Sequence, residues 1–144
     1  MDLGQLQSQH QRIEALADQF LRAIANDNSP QPLGMLRWQF ARELMGHLAL
    51  EDRIFYPAMR RQGPGLLRDT AARLQVEMAP LADAFSAYMS GWSDERIARE
   101  WATFCRESRQ IIKTVLNRVQ KEERLLMPLL ADAGLEPPQI SRAN

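Results

Sequence analysis

This 144-residue chain is predicted to be an all-α protein, an up-down-up-down four-helix bundle. Three observations carry that prediction. Four stretches place apolar residues at alternating three- and four-residue intervals, the period of a helix with one buried face. Short segments rich in Asn, Asp, Ser, Gly and Pro part these stretches, and such residues favour turns. Strand-like alternation of apolar and polar residues does not occur. With 45% hydrophobic and 25% charged residues, the chain can bury a substantial core and is not expected to be disordered.

Asp2 is placed to cap the first helix, whose inward stripe reads Leu3, Leu6, His10, Ile13, Ala17, Phe20, Ile24. The run from Asn26 to Pro32 ends it. A second helix runs from about Leu33 to Arg61, with Leu36 or Arg37, Phe40, Leu44, His47, Glu51, Ile54 and Ala58 turned inward. Pro57 near its end removes a backbone donor and kinks the chain where that is tolerated. After Gly63-Pro64-Gly65, a third helix spans about Leu66 to Ser90 with Leu67, Ala71, Leu74, Met78, Leu81, Phe85 and Tyr88 on one side. Pro80 predicts an interruption just past Met78. Ser93 is the next N-cap, with acidic residues in the first turn behind it. The last helical stretch carries Ile97, Trp101, Phe104, Ser108, Ile111, Val115, Arg118, Glu122, Leu125 and Leu129, and stops near Gly134. It reads either as one long helix or as a short one leading into a longer one. Residues 1–134 are thus expected to form the bundle, and residues 135–144, with Pro137-Pro138, a frayed tail.

Eighteen basic and eighteen acidic residues cancel, so charge makes no case for nucleic acid or an anionic membrane. A single cysteine, Cys105, excludes an internal disulfide and fits a reducing compartment. Neither a signal-peptide pattern nor an apolar run of membrane-spanning length is present. The expectation is a cytoplasmic protein without nucleic-acid or membrane partners. No glycine-rich phosphate loop, Ser/His/Asp arrangement or Cys/His zinc spacing occurs, so any chemistry sits in the bundle core.

Three of the four stripes carry polar residues that core positions rarely hold: His10, then His47 with Glu51, then Arg118 with Glu122. His47 and Glu51 are one helical turn apart and can point at one spot. A buried carboxylate needs a partner or a metal. The segment from His47 to Pro57 also recurs in altered form 71 residues later. Glu51 corresponds to Glu122, Arg53 to Arg124 and Pro57 to Pro128, while His47 corresponds to Arg118. The third stripe supplies only Met78, with Glu77 beside it.

With His10 before Ile13, His47-x-x-x-Glu51 running into Phe55-Tyr56-Pro57, and Glu122-Glu123 running into Leu126-Met127-Pro128, the chain resembles the hemerythrin-like family, the HHE cation-binding four-helix bundles. The resemblance covers Leu3 to about Leu130. It implies a non-haem di-iron centre held by histidines and two bridging carboxylates. Matched onto this chain, one metal position keeps His10, His47, Glu51 and Glu122. The other keeps no histidine: its ligand position on the fourth helix is Arg118, and the third helix offers Met78 with Glu77 nearby.

Two facing carboxylates in a core need positive charge between them, and Arg118 can supply it by pairing with Glu122, Glu51 or Glu77. Two readings follow. Either the chain is a binding or sensing protein that retains at most one metal, a non-haem iron or another divalent ion, with a small ligand such as a diatomic. Or it is a metal-free regulatory or interaction bundle in which Arg118 neutralises the carboxylates. Catalysis is the less favoured reading, since no acid or base stands apart from the ligand set. Glu123 reads as a solvated surface charge, Met78 as core filler, Cys105 as a small buried hydrophobe, and Trp38 as a residue available to a protein partner or homodimer.

Overall fold

The computed structural model describes residues 3–134; the Asp2 cap and the tail at 135–144 lie outside the described residues. Among the described residues the chain forms five helices in order. Helix α1 is Leu3–Ala23. Helix α2 (residues 34–62) is α-helical over Gly34–Leu50, π-helical over Glu51–Phe55 and α-helical again over Tyr56–Gln62. Helix α3 (residues 65–91) consists of Gly65–Met78 and Pro80–Gly91. The short α4, Asp94–Arg99, leads into α5 (residues 101–133), which is Trp101–Lys121, a π-helical Glu122–Leu126, and Met127–Ala133.

Helices α1, α2, α3 and α5 pack as a closed ring, each against two neighbours, which is the up-down-up-down bundle that the apolar periodicity calls for. Local chemistry sets the boundaries. The Asn26 side chain accepts from the Asn28 amide at 2.9 Å, an Asx turn that closes the α1–α2 connector. The Ser93 hydroxyl accepts from the Arg96 amide at 3.2 Å and caps α4. Gly134, at φ 63°, ends α5 in the left-handed conformation that glycine adopts without strain. The last helical stretch is therefore split at Glu100, and α3 is interrupted at Ala79 by Pro80.

On α1 the inward stripe holds from Leu6 onward, Leu3 being half-buried, and on α3 it holds throughout. Leu6, His10, Ile13, Ala17, Phe20 and Ile24 are buried, as are Leu67, Ala71, Leu74, Met78, Leu81, Phe85 and Tyr88. On α2 the stripe holds only as far as Glu51, and on α5 as far as Glu122 except at Ile111, which is half-buried while Ile112 beside it is buried. Beyond Glu51 the expected Ile54 is 50% exposed, and Phe55, Tyr56 and Met59 are buried in its place. Beyond Glu122 the expected Leu125 and Leu129 are half-buried, while Leu126, Met127 and Leu130 are buried.

The cause is the same in both copies. The Tyr56 amide bonds back to Glu51 O, and the Met127 amide to Glu122 O, five residues earlier instead of four. Each extra residue rotates the rest of the helix relative to a 3.6-residue period. A proline follows directly in both cases, at Pro57 and Pro128. Proline's ring clashes with the carbonyl four residues back in a regular α-turn, and widening the preceding turn relieves that clash.

The apolar core falls into two clusters. One contains Phe20, Phe40, Phe85, Trp92, Trp101 and Phe104, locked by edge-on ring contacts such as Phe20–Phe40 at 5.9 Å and Trp92–Phe104 at 5.3 Å. The other contains Leu6, Phe55, Tyr56, Leu74, Met78, Leu126 and Leu130. His10, His47, Glu51, Arg118 and Glu122 lie in sequence between members of the two clusters on their own helices, so a polar layer divides the bundle.

Candidate metal centre

Both π-turns begin on a carboxylate of that layer, Glu51 on α2 and Glu122 on α5. Glu51 is 0% exposed and Glu122 1%. The two imidazoles come from the remaining stripe positions, His10 on α1 and His47 on α2, 1% and 4% exposed. The rings meet edge to face with centroids 4.8 Å apart.

Four ligand-type atoms converge. His47 Nε2 lies 3.0 Å from Glu51 Oε2, and His10 Nε2 lies 3.0 Å from Glu122 Oε1. Across the group, His10 Nε2 is 3.9 Å from Glu51 Oε2 and His47 Nε2 is 4.0 Å from Glu122 Oε1. One ligand atom from each of the four residues lies within 4.8 Å of every other. Ligand atoms bonded to one small divalent ion at about 2.0–2.2 Å stand roughly 3–4 Å from one another. The four His–Glu pairs already have that spacing, and the group would draw slightly closer to hold a single cation.

The far nitrogens of both rings are anchored. His47 Nδ1 donates to Gln9 Oε1 at 2.6 Å, and His10 Nδ1 donates to a Glu123 carboxylate oxygen at 2.6 Å. Each bond fixes its ring's orientation and turns Nε2 toward the centre, the arrangement that tunes metal-ligating histidines. Glu122 is held at its other oxygen, where the Tyr56 hydroxyl donates at 2.7 Å. Three buried atoms of the layer, His47 Nε2, Glu51 Oε2 and Arg118 Nε, make no well-formed hydrogen bond, and the first two stand 3.0 Å apart as an ion pair. Buried polar atoms without good hydrogen bonds are costly, and the His47–Glu51 pair, at 3.0 Å, has the spacing of two adjacent ligands on one cation.

Arg118 closes the group from the α3 side. Its Nη2 donates to Glu51 Oε1 at 2.8 Å, its Nη1 to the Met78 carbonyl at 3.3 Å, and its Nε stands 3.5 Å from Glu122 Oε2. At 7% exposure it is buried, and its pairs are Glu51 and Glu122. Glu77, the third partner considered, sits one position off the inward stripe of α3, faces solvent, and pairs with Lys121 on α5. Met78 packs against the second apolar cluster and meets Arg118 through its backbone carbonyl.

The charges reinforce one another. Burial opposes protonation of His10, but Glu122, Glu51 and Glu123 outweigh it and raise its pKa to about 10. His47 is raised for the same reasons, burial opposing and Glu122 and Glu51 prevailing. For Glu122, burial again works against the charge; His10, His47 and Arg118 overcome it and hold the carboxyl below the usual range. Protonated imidazoles and the Arg118 guanidinium would balance the carboxylates of the layer. A cation held by these four residues, His10, His47, Glu51 and Glu122, would take the place of those protons.

Sequence reasoning missed three participants. Glu123 is half-buried and bonds His10, so it is not the solvated charge expected of it. Tyr56 was hidden by the π-turn, which carries it inward. Gln9 stands beside His10 on α1, off the stripe, and nothing in its spacing marked it.

A closed helical ring with two imidazoles and two carboxylates buried at its centre is a bundle whose core could hold a cation. A family model, the hemerythrin HHE cation-binding domain, matches residues 1–130. The chain belongs to that family. Comparisons with curated proteins and with solved structures found no match. The chain's two histidines are both in this cluster, and no described helix is long and apolar enough to cross a membrane.

Proposed function

We propose that this hemerythrin-family domain is a binding or sensing module that holds one divalent metal ion through His10, His47, Glu51 and Glu122. The observation that carries the proposal is the convergence of four buried ligand atoms, two of them on imidazoles whose opposite nitrogens are already anchored. Two nitrogens and two carboxylate oxygens suit Fe(II), Mn(II) or Zn(II), and such an ion would supply an open coordination position for a small ligand. The second metal position of the family is given up to the Arg118 guanidinium, so a centre needing two irons is not part of this reading. The domain is the bundle itself, residues 1–134.

The rival reading, a metal-free regulatory bundle, is favoured by one specific contact: Arg118 already satisfies Glu51 Oε1 at 2.8 Å. A competition titration with Zn(II) separates the two. Under the metal reading, His47→Ala weakens binding by at least about tenfold, whereas Gln39→Ala on the exposed face does not. Equal, weak binding by both variants and the native chain supports the metal-free bundle.

A further inference from the structure

A pocket of about 350 Å³ opens between α3 and α5 on the outer side of Arg118. Met78, Leu81 and Ile111 line it with apolar surface; Asn117, Arg118 and Lys121 line it with donors. The only acid in the lining is Glu77, and its carboxylate is paired with Lys121. Side chains of that pair are 39% and 45% exposed, and solvent-exposed ion pairs contribute little stability.

We propose that this pocket binds a small aliphatic carboxylate, its head group on Lys121 beside Arg118 and its tail on Met78, Leu81 and Ile111. The chain's own Glu77 carboxylate already rests on Lys121, so the pocket displays the head-group contact that a ligand would take over. A monoanion is favoured over phosphate because only one contact can be exchanged: Arg118 is balanced by Glu51 and Glu122 and lends only its proximity, so the head group replaces the Glu77 carboxylate on Lys121. The volume lies at the small end of the ~300–1,000 Å³ range of ligand pockets, which suits a short chain.

The pocket stands apart from the metal, but Arg118 belongs to both. A carboxylate that draws on Arg118 competes with Glu51 for the guanidinium. A cation sharing Glu51 and Glu122 frees Arg118 for the ligand, so each makes the other bind more tightly. This linkage, unlike the pocket, rests on the metal reading above.

The test is a titration of the full chain, metal-free, with sodium hexanoate, followed by methyl NMR at Met78 and Ile111. Saturable one-to-one shifts are expected. They should weaken about tenfold or more in Lys121→Gln and vanish in Ala84→Trp, which fills the pocket from an exposed position. Hexanol binding as tightly as hexanoate, shifts that survive Ala84→Trp, or no saturation would each overturn the pocket. Repeated with Zn(II) at saturation, hexanoate affinity is expected to rise about fivefold or more. An unchanged affinity overturns the linkage, and so does a chain that elemental analysis shows to take up no zinc; the metal-free titration then judges the pocket by itself.

Discussion

Arg118 and Glu51 are bonded at 2.8 Å through one carboxylate oxygen, while the other oxygen of Glu51 faces His47 Nε2 at 3.0 Å without a hydrogen bond. Glu51 thus has one side fixed on a guanidinium and one side presented to the imidazoles. Arg118→Met should therefore strand a buried carboxylate in the metal-free protein and cost about 3–5 kcal/mol of stability. A saturating divalent ion should restore part of that loss, because it re-supplies the missing positive charge. Urea denaturation with and without Zn(II) measures both. A variant as stable as the native chain without metal would mean that Arg118 does not balance Glu51.

Tyr56 donates to Glu122 at 2.7 Å within the buried layer. Tyr56→Phe keeps the ring and removes only that bond. The expected loss is about 1.5–3 kcal/mol, typical of a hydrogen bond to a charged group. Metal affinity should fall about 10–100-fold, as it does when the partner of a ligating group is lost. Denaturation and competition titration report the two effects separately, and an unchanged affinity would remove Glu122 from the ligand set.

The π-turns make a sharper claim about packing. Phe55 is 3% exposed and Ile54 50%, the reverse of what an unbroken α-helical stripe requires. Phe55→Ala should cost about 3–5 kcal/mol, while Ile54→Ala should stay near ~0.5 kcal/mol. Comparable costs in thermal denaturation of the two variants would show that α2 runs on without the extra residue.

That contrast also marks how far the sequence could be read. The stripe of α1 from Leu6 onward and that of α3 were legible because a period near 3.6 links each buried residue to the next. His10, His47, Glu51, Arg118 and Glu122 were legible because they interrupt apolar stripes, as partnered buried groups do. Beyond Glu51 and Glu122 the period lengthens by one residue, and extrapolation put Ile54 and Leu125 where Phe55 and Leu126 belong. Tyr56 and Glu123 were lost for related reasons: each stands next to a stripe position and is brought into the layer by the turn geometry. Gln9 has no periodic signature at all, since a side-chain bond to His47 across two helices depends on tertiary packing.

Protonation gives the metal-free protein a definite pH profile. His10 has its pKa raised from 6.5 to about 10, and His47 is raised with it. Their contribution is full below pH 6.5 and is lost as pH rises through about 10. Glu122 is shifted the other way from 4.5, so its contribution is present above pH 4.5 and lost as pH falls. Stability of the metal-free chain should therefore peak between about pH 4.5 and 6.5 and decline toward pH 10. Metal affinity should climb over that alkaline range, because the ion displaces protons from the imidazoles. Denaturation midpoints against pH, with and without Zn(II), should diverge as pH rises; parallel curves would contradict a shared site for protons and metal.

Metal stoichiometry bears on the central claim most directly. The measurement is elemental analysis of the full chain, purified without a histidine tag and exposed to Fe(II) anaerobically before exhaustive desalting. About one metal per chain is the result predicted by four converging ligands with an arginine in the second position. A value near zero, unchanged by the Fe(II), would contradict the metal centre, and a value near two would contradict the role given to Arg118.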